Sequence, residues 1–308
     1  MNKPYFIMMC GLVASGKSTK AQELAQEYDA TIFSSDSLRE ELYGDINNQD
    51  HNQELFKELH KRIKDCLRSG KSAIMDSTNI NYKQRMAFLE ELKNIPCEKV
   101  CIVMATPYET CLKRNAKRDR KVPEYVIQRM YYNFDIPWYF EGWDEIEVEY
   151  PNDFKFTKTA FDWYEDFLDY NQDNPHHILT LGEHCLQTSK YMNRICAKTN
   201  IIQGTSLHYA ALLHDVGKPA TKTFTNSKGE KTDIAHYYNH EKVGCYESLF
   251  YEKPCSHLYV AVLIRYHMQP YFWEKDNNKK LLNKYRKLWG ESLYRDVMYL
   301  HDADKSAH

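Results

Sequence analysis

Along the first half of the chain, short apolar runs alternate with stretches whose apolar residues recur every three or four positions. Tyr5 to Cys10, Thr31 to Phe33, Ser72 to Met75 and Lys99 to Ala105 are rich in β-branched or aromatic residues and mostly unbroken by charge, which predicts strands. Between them, Ser18 to Tyr28, Gln53 to Leu67 and Tyr82 to Leu92 have helical spacing, the last opened by the cap candidate Asn81. Apolar strands separated by helices indicate a parallel sheet covered on both faces. Ile146 to Val148 is the candidate last strand.

Past Pro151 the period changes. His177 to Thr199, Thr205 to Asp215, His240 to Tyr251, Ser256 to His267 and Gly290 to Asp302 read as helices joined by polar or Pro-containing connections, and strand-like runs disappear. Asp162-Trp163-Tyr164 with Phe167 reads as the start of a second core. The expectation is an α/β domain over 1–151 followed by an all-α domain over 152–308, in keeping with a length of 308 residues.

Composition narrows the classes further. Lys plus Arg is 41 against 43 Asp plus Glu, a net charge of -2 that excludes a protein coating nucleic acid through bulk positive charge, so any such contact is local. No apolar run reaches the ~20 residues of a membrane-spanning helix, and no membrane partner is expected. The run Tyr5 to Ala14 ends in a glycine and lysine loop rather than a small-residue cleavage site, which argues against secretion. Nine cysteines without a C-x-x-C pair suit reduced thiols in a cytoplasm. Two of the 13 histidines lie before residue 151 and eleven after it, so the two halves carry different chemistry.

Gly11-Leu12-Val13-Ala14-Ser15-Gly16-Lys17-Ser18 fits the P-loop pattern and sits between a predicted strand and helix, as the mechanism requires. In such a loop, with Gly11, Ser15, Gly16 and Thr19 around it, backbone N–H groups curl around phosphate oxygens. Lys17 reaches the outer phosphates, and the Ser18 hydroxyl is placed for Mg2+. Asp36 follows the second strand and could accept the proton of an attacking hydroxyl, or cap the next helix; Arg39, one turn later, could hold an anionic acceptor. Asp76 ends the third strand and could hold a magnesium-bound water, orient Arg39, or serve only as a turn residue. The run Lys113 to Lys121 carries six cations against one anion and reads as a lid that places guanidiniums on a transferring phosphoryl, rather than as a solvated face. Arg114 and Arg118, four apart, are expected on one helical face.

The P-loop, S-S-D-x-x-R with Asp36 and Arg39, D-S-T-N-x-N from Asp76 to Asn81, and R-N-x-x-R-x-x-x-V-P from Arg114 to Pro123 together resemble the polynucleotide 5'-kinases. The resemblance implies ATP or another NTP with Mg2+ on Lys17 and Ser18. It further implies Asp36 as general base for a 5'-hydroxyl, Arg39 on the acceptor's phosphate, and Arg114 and Arg118 on the donor. Asp119 to Lys121 and the aromatics Tyr131, Tyr132 and Trp138 are further candidates for a substrate pocket.

In the second half, His184, His214-Asp215, His240, His267 and Asp304 form an ordered series. Imidazole and carboxylate donors together suit Mn, Fe, Co, Ni or Zn, and a helical bundle can project them into one pocket. With Gly217-Lys218 after the His-Asp pair and A-D-K around Asp304, the series resembles the HD-domain phosphohydrolases. That resemblance implies His184, His214, Asp215 and Asp304 on one metal, His240 and His267 completing a second site with Asp215 as the bridge, and Lys218 on substrate phosphate. Asp302 competes with Asp304 for the last role, and the sequence context favours Asp304. Gly244, four residues after His240, excludes an H-E-x-x-H protease site.

The whole chain resembles bifunctional enzymes that join a polynucleotide kinase to an HD phosphoesterase, here with the kinase first. The resemblance implies nucleic-acid ends as substrate, RNA favoured over DNA. Phosphate would be added at the 5' end and 2',3'-cyclic or terminal phosphate removed at the other, with sealing left to a separate ligase. A small-alcohol or nucleoside kinase fused to a nucleotide phosphohydrolase is the alternative, and a nucleotide-gated sensor without turnover is a third.

Overall fold

The structure is a computed structural model that describes residues 3–175, 177–199, 203–275 and 278–307. The chain divides into two compact units, one of residues 1–130 with 137–154 and one of residues 131–136 with 155–308.

The first unit is a five-stranded sheet with helices between its strands. In chain order the elements are β1 (Tyr5–Cys10), α1 (Lys17–Glu27), β2 (Ala30–Ser34), α2 (Ser35–Tyr43), α3 (Asn52–Arg68), β3 (Ser72–Asp76), α4 (Tyr82–Glu91), β4 (Glu98–Met104), α5 (Tyr108–Ala116), α6 (Glu124–Tyr131, whose last residue falls in the second unit) and β5 (Glu145–Glu149). The strand order is β2-β3-β1-β4-β5 with every neighbouring pair parallel. Strands β1, β3 and β4 are almost wholly buried, which is why they read as unbroken apolar runs, whereas the edge strand β5 alternates Glu-Ile-Glu-Val-Glu. Asn81 caps α4 as expected, its Oδ1 accepting from the Lys83 and Gln84 amides.

This order brings the C-terminal ends of β1, β2 and β3 side by side, and those ends carry the P-loop, the Ser34–Asp36 turn and Asp76. In parallel α/β sheets, ligands bind beyond these ends. A buried ion pair braces the region. Arg85 on α4 donates from Nε and Nη2 to the two Glu141 oxygens, both at 2.7 Å, and from Nη1 to the Asn79 carbonyl at 2.8 Å. Asn79, itself left-handed at φ 48°, donates to the Met9 carbonyl.

The second unit is helical: α7 (Ala160–Asp166), α8 (Leu181–Thr199), α9 (Gly204–Leu213), α10 (Lys218–Thr221), α11 (His240–Glu247), α12 (His257–Tyr266), α13 (Gln269–Lys275) and α14 (Lys279–Lys305). Trp163 of α7 is 1% exposed and stands in its core. The helix expected from His177 begins instead at Leu181, because Thr180 and Glu183 form a reciprocal cap. Gly290, at φ 78°, interrupts α14 where the sequence predicts a helix start.

One expectation fails here. Strands do not disappear after Pro151, since β6 (Lys222–Thr225) and β7 (Lys231–Tyr237) form an antiparallel hairpin. The hairpin escapes a hydrophobic reading because Phe224 and Ile234 are exposed and only Ala235 is fully buried. Its turn is fixed by Asn226, which accepts from the Lys228 and Glu230 amides, and by Gly229 at φ 83°.

Candidate phosphate-transfer site and metal centre

The P-loop backbone needs its glycines for two different reasons. A Cβ on Gly11 would fall 2.8 Å from Ser15 Oγ and 3.0 Å from Met104 Cβ, and Gly16 sits at φ 100°. Ala14 takes φ 61°. With the loop curled in this way, Lys17 Nζ donates to the Leu12 carbonyl at 2.6 Å. Burial lowers the Lys17 ammonium from its ordinary value, against the pull of Asp76. Ser18 Oγ donates to Asp76 Oδ2 at 2.7 Å, so the hydroxyl and carboxylate suited to a magnesium ion are already adjacent. Thr19 follows on the exposed first turn of α1, and Thr106 Oγ1 closes the loop from below by donating to the Ser15 carbonyl.

Asp36 does not cap α2. That role falls to Ser34, whose Oγ accepts from the Ser37 amide, and this frees the Asp36 side chain for other partners. Its Oδ1 accepts from Arg39 Nη1 at 2.9 Å and its Oδ2 from Arg120 Nη1 at 2.8 Å. Arg39 is 5% exposed and also reaches Asn52 Oδ1 at 3.1 Å, so it is oriented by Asp36 and Asn52 while Asp76 is engaged by Ser18.

Arg114 lies near the loop, its Nη1 3.8 Å from where a Gly16 Cβ would be, and pairs with Asp153 at 3.6 Å. Arg118 does not share its helical face. Helix α5 ends at Ala116, because the Asn115 amide bonds the Val122 backbone in both directions, at 2.8 and 3.0 Å, and folds residues 117–121 into a closed loop. Arg118 stands exposed on that loop, close enough to Lys17 to oppose its charge. Tyr131 and Tyr132 leave this unit altogether: their hydroxyls donate within the second unit, to Glu247 at 2.5 Å and to the Ala220 carbonyl at 2.7 Å.

In the second unit, five helical segments bring the whole predicted ligand series together. His184 stands on α8, His214 and Asp215 just past α9, His240 at the start of α11, His267 just past α12 and Asp304 near the end of α14. His184 Nε2 is 3.0 Å from Asp304 Oδ1 and 3.1 Å from His214 Nε2; His240 Nε2 is 3.3 Å from His267 Nε2. Asp215 stands between the two groups. Its Oδ2 lies 3.6 and 3.4 Å from the His184 and His214 nitrogens, and its Oδ1 3.4 and 3.9 Å from those of His240 and His267.

These donors fit metal ions. His214, His240 and His267 each direct Nδ1 at the carbonyl three residues earlier, at 2.8, 2.8 and 2.7 Å, which assigns the proton to Nδ1 and leaves the Nε2 lone pairs converging on the centre. His184, His214 and Asp304 form one group whose ligand atoms lie within 4.8 Å of one another, and Asp215, His240 and His267 form another. Asp302 is exposed and takes no part, whereas Asp304 is buried and accepts from Tyr271 at 2.9 Å.

The close spacing has its own backbone cause. A Cβ on Gly217 would lie 2.1 Å from the His240 carbonyl, so only glycine lets the His-Asp turn approach α11. Burial raises the cost of the Asp215 and Asp304 charges. The neighbouring groups, Lys218 first for Asp215 and the His214 ring first for Asp304, outweigh it and hold both carboxyls well below their usual range. Burial, with His240 and His214 adding to it, pushes His267 down to about 3, so its ring is neutral and free to bind metal. Lys218 Nζ donates to Asp215 Oδ2 at 2.7 Å and to Gln172 Oε1 at 2.8 Å. Gln172 and Tyr271 carry no motif and were invisible in the sequence.

Residues 6–137 match the AAA domain family and residues 181–307 the HD domain family. An L-seryl-tRNA(Sec) kinase of Methanococcus maripaludis is 29% identical over 143 residues, 45% of this chain and 55% of the relative, so the chain spans about half the length of that relative. Among solved structures, a putative kinase from Chloroflexus aurantiacus is similar at 21% identity and TM-score 0.41, covering 50% of this chain and 91% of that one. A Pnkp1/Rnl/Hen1 complex is similar at 19% identity and TM-score 0.35, covering 40% of this chain and 42% of that one. Among the described residues, no helix is long and apolar enough to cross a membrane, and all nine cysteines are free. The chain therefore joins a P-loop kinase-like AAA domain to a helical HD domain.

Proposed function

We propose that the chain heals nucleic-acid ends, RNA in preference to DNA, by phosphorylating a 5'-hydroxyl at the P-loop site and removing a 2',3'-cyclic or terminal phosphate at the histidine centre. The observation that carries the reading is the coexistence in one chain of a P-loop with a neighbouring aspartate and a buried cluster of histidines and aspartates. Asp36 beside the P-loop suits phosphorylation of a hydroxyl, and Asp215 between two pairs of imidazoles suits metal-assisted phosphate hydrolysis. The archaeal relative, by name a kinase of L-seryl-tRNA(Sec), supports an acceptor hydroxyl carried on RNA.

In the kinase half the backbone of residues 11–16 with Lys17 and Ser18 would hold the donor phosphates of ATP, with Ser18 and Asp76 suited to its Mg2+. Asp36 takes the acceptor proton at a carboxylate oxygen, Arg39 fixes that carboxylate beside the acceptor, and Arg114 and Arg118 stabilise charge on the transferring group. In the hydrolase half His184, His214, Asp215 and Asp304 would hold one transition-metal ion, and His240 and His267 with Asp215 a second. Such ions supply Lewis acidity toward phosphoryl oxygens and a nucleophile near neutral pH. Lys218 meets the substrate phosphate by exchanging its Gln172 contact. Free thiols suit a cytoplasmic setting, and sealing of the healed ends is assigned to a separate ligase.

The test is mass spectrometry of a short RNA with 5'-hydroxyl and 2',3'-cyclic phosphate ends, incubated with the protein, ATP, Mg2+ and Mn2+. Gain of one phosphoryl at the 5' end and loss of the cyclic phosphate is the expected result. An unchanged RNA alongside a phosphorylated nucleoside would move the assignment to a small-alcohol kinase.

A further inference from the structure

Asp36 is approached by two cations that are held very differently. Arg39 lies one turn away on the same helix, its side chain 6% exposed, with further bonds to the Ser35 carbonyl and Asn52. Its Nη groups are committed to protein acceptors, and its Nε is buried without one. Arg120 stands on the 117–122 loop with its side chain 27% exposed. Besides Asp36, its partners among the described residues are loop acceptors: Nε donates to Asn47 Oδ1 at 2.9 Å and Nη2 to the Ile46 carbonyl at 3.1 Å, both in the connection between α2 and α3. Arg39 is therefore fixed, and Arg120 is the member of the pair that can leave.

An aspartate that takes a proton from a hydroxyl needs an oxygen that the hydroxyl can approach. In this arrangement Oδ1 faces Arg39 and Oδ2 faces Arg120. Asp36 holds Arg120 through Nη1 alone, whereas a phosphate can engage a guanidinium through two parallel N–H bonds, so a nearby phosphate can draw Arg120 from the carboxylate. We infer that Arg120 is a specificity-determining residue for the acceptor. It rests on Asp36 until a phosphate close to the reacting hydroxyl draws it away, which opens Oδ2 to that hydroxyl. A neutral alcohol has no such group and must compete with the Arg120–Asp36 pair. The inference rests on the reading of Asp36 as the proton acceptor and deepens it, naming the acceptor class as an alcohol with a neighbouring phosphate.

The experiment is steady-state kinetics of the full chain with ATP and Mg2+. It uses two acceptors, a dinucleoside monophosphate with a free 5'-hydroxyl and the corresponding nucleoside, and compares wild type with Arg120→Gln and Asn47→Ala. Wild type is expected to prefer the dinucleotide. Arg120→Gln is expected to raise KM for the dinucleotide about tenfold and to shrink that preference by a similar factor, the scale of one charge-assisted contact. Asn47→Ala keeps the guanidinium but loosens its closed position, so KM for the dinucleotide is expected to fall, whereas a merely structural role would raise it in both variants. Equal loss toward both acceptors, or an unchanged preference in Arg120→Gln, overturns the inference. Wild type that uses both acceptors equally overturns it while the kinase reading stands, and wild type that phosphorylates neither overturns both.

Discussion

At the P-loop the groups available to a phosphate are mostly backbone, drawn from the eight consecutive residues Gly11 to Ser18 and one helix start, whereas at the histidine centre every candidate donor is a side chain. The six donors there come from five helical segments between residues 184 and 304. The loop is uncharged apart from Lys17, which turns inward to the Leu12 carbonyl. The histidine centre is assembled beforehand, because three imidazoles are oriented by backbone carbonyls and Gly217 sets the spacing. A site for a nucleotide that arrives and leaves tolerates a soft cradle. A site for resident ions must hold its buried charges in place.

This contrast is sharpest at Asp215, whose Oδ2 faces His184 and His214 and whose Oδ1 faces His240 and His267. Asp215→Ala is expected to lower bound metal and phosphate hydrolysis by about a hundredfold or more, measured by elemental analysis and phosphate release. Nucleotide binding at the P-loop is expected to survive. If metal content were unchanged, the ligand assignment would be wrong.

A smaller effect probes the cradle. Arg85 and Glu141 form a pair 1% and 0% exposed that holds the Asn79 turn against β1. Arg85→Met strands the Glu141 charge and is expected to cost about 3–5 kcal/mol. Adding Glu141→Leu should recover most of that loss, with both read from the denaturant midpoint of the first unit. Recovery tests whether the pair, rather than Arg85 alone, braces the P-loop.

The smallest effect is in the second unit and depends on pH. Lys253, 5% exposed, donates to the Ser248 and Tyr251 carbonyls, and burial pushes its ammonium down to about 7. Above an unfolded pKa near 10.4 the lysine is neutral in both states and costs nothing. As pH falls toward about 7 the unfolded chain takes up the proton first, so stability declines, by at most about 1.4 kcal/mol per pH unit. Unfolding at pH 7, 8 and 9 should show this slope in wild type and lose it in Lys253→Met.

How far each site was legible follows from how it is built. The P-loop is contiguous, and its steric demands appear directly as Gly11, Gly16 and Lys17. The histidine series was legible because each donor sits in a short local pattern, even though the pocket draws on five segments. What escaped were residues whose roles arise only in three dimensions. Asn115 turns the basic run into a loop and so separates Arg118 from the face of Arg114. Ser34 takes the cap position for which Asp36 is a sequence candidate, and Gln172 and Tyr271 gain their roles only because the fold brings them to Lys218 and Asp304. The β6–β7 hairpin escaped for a different reason, since it buries too little to show an alternating pattern.

The most direct measurement places Asp36→Ala and Asp215→Ala side by side on one RNA with a 5'-hydroxyl and a 2',3'-cyclic phosphate, with both ends followed by mass spectrometry. Two independent sites give complementary products: Asp36→Ala removes the 3' phosphate without adding a 5' phosphate, Asp215→Ala does the reverse, and a mixture of the two variants heals both ends. Loss of both activities in either single variant would contradict two independent sites of opposite chemistry in this chain.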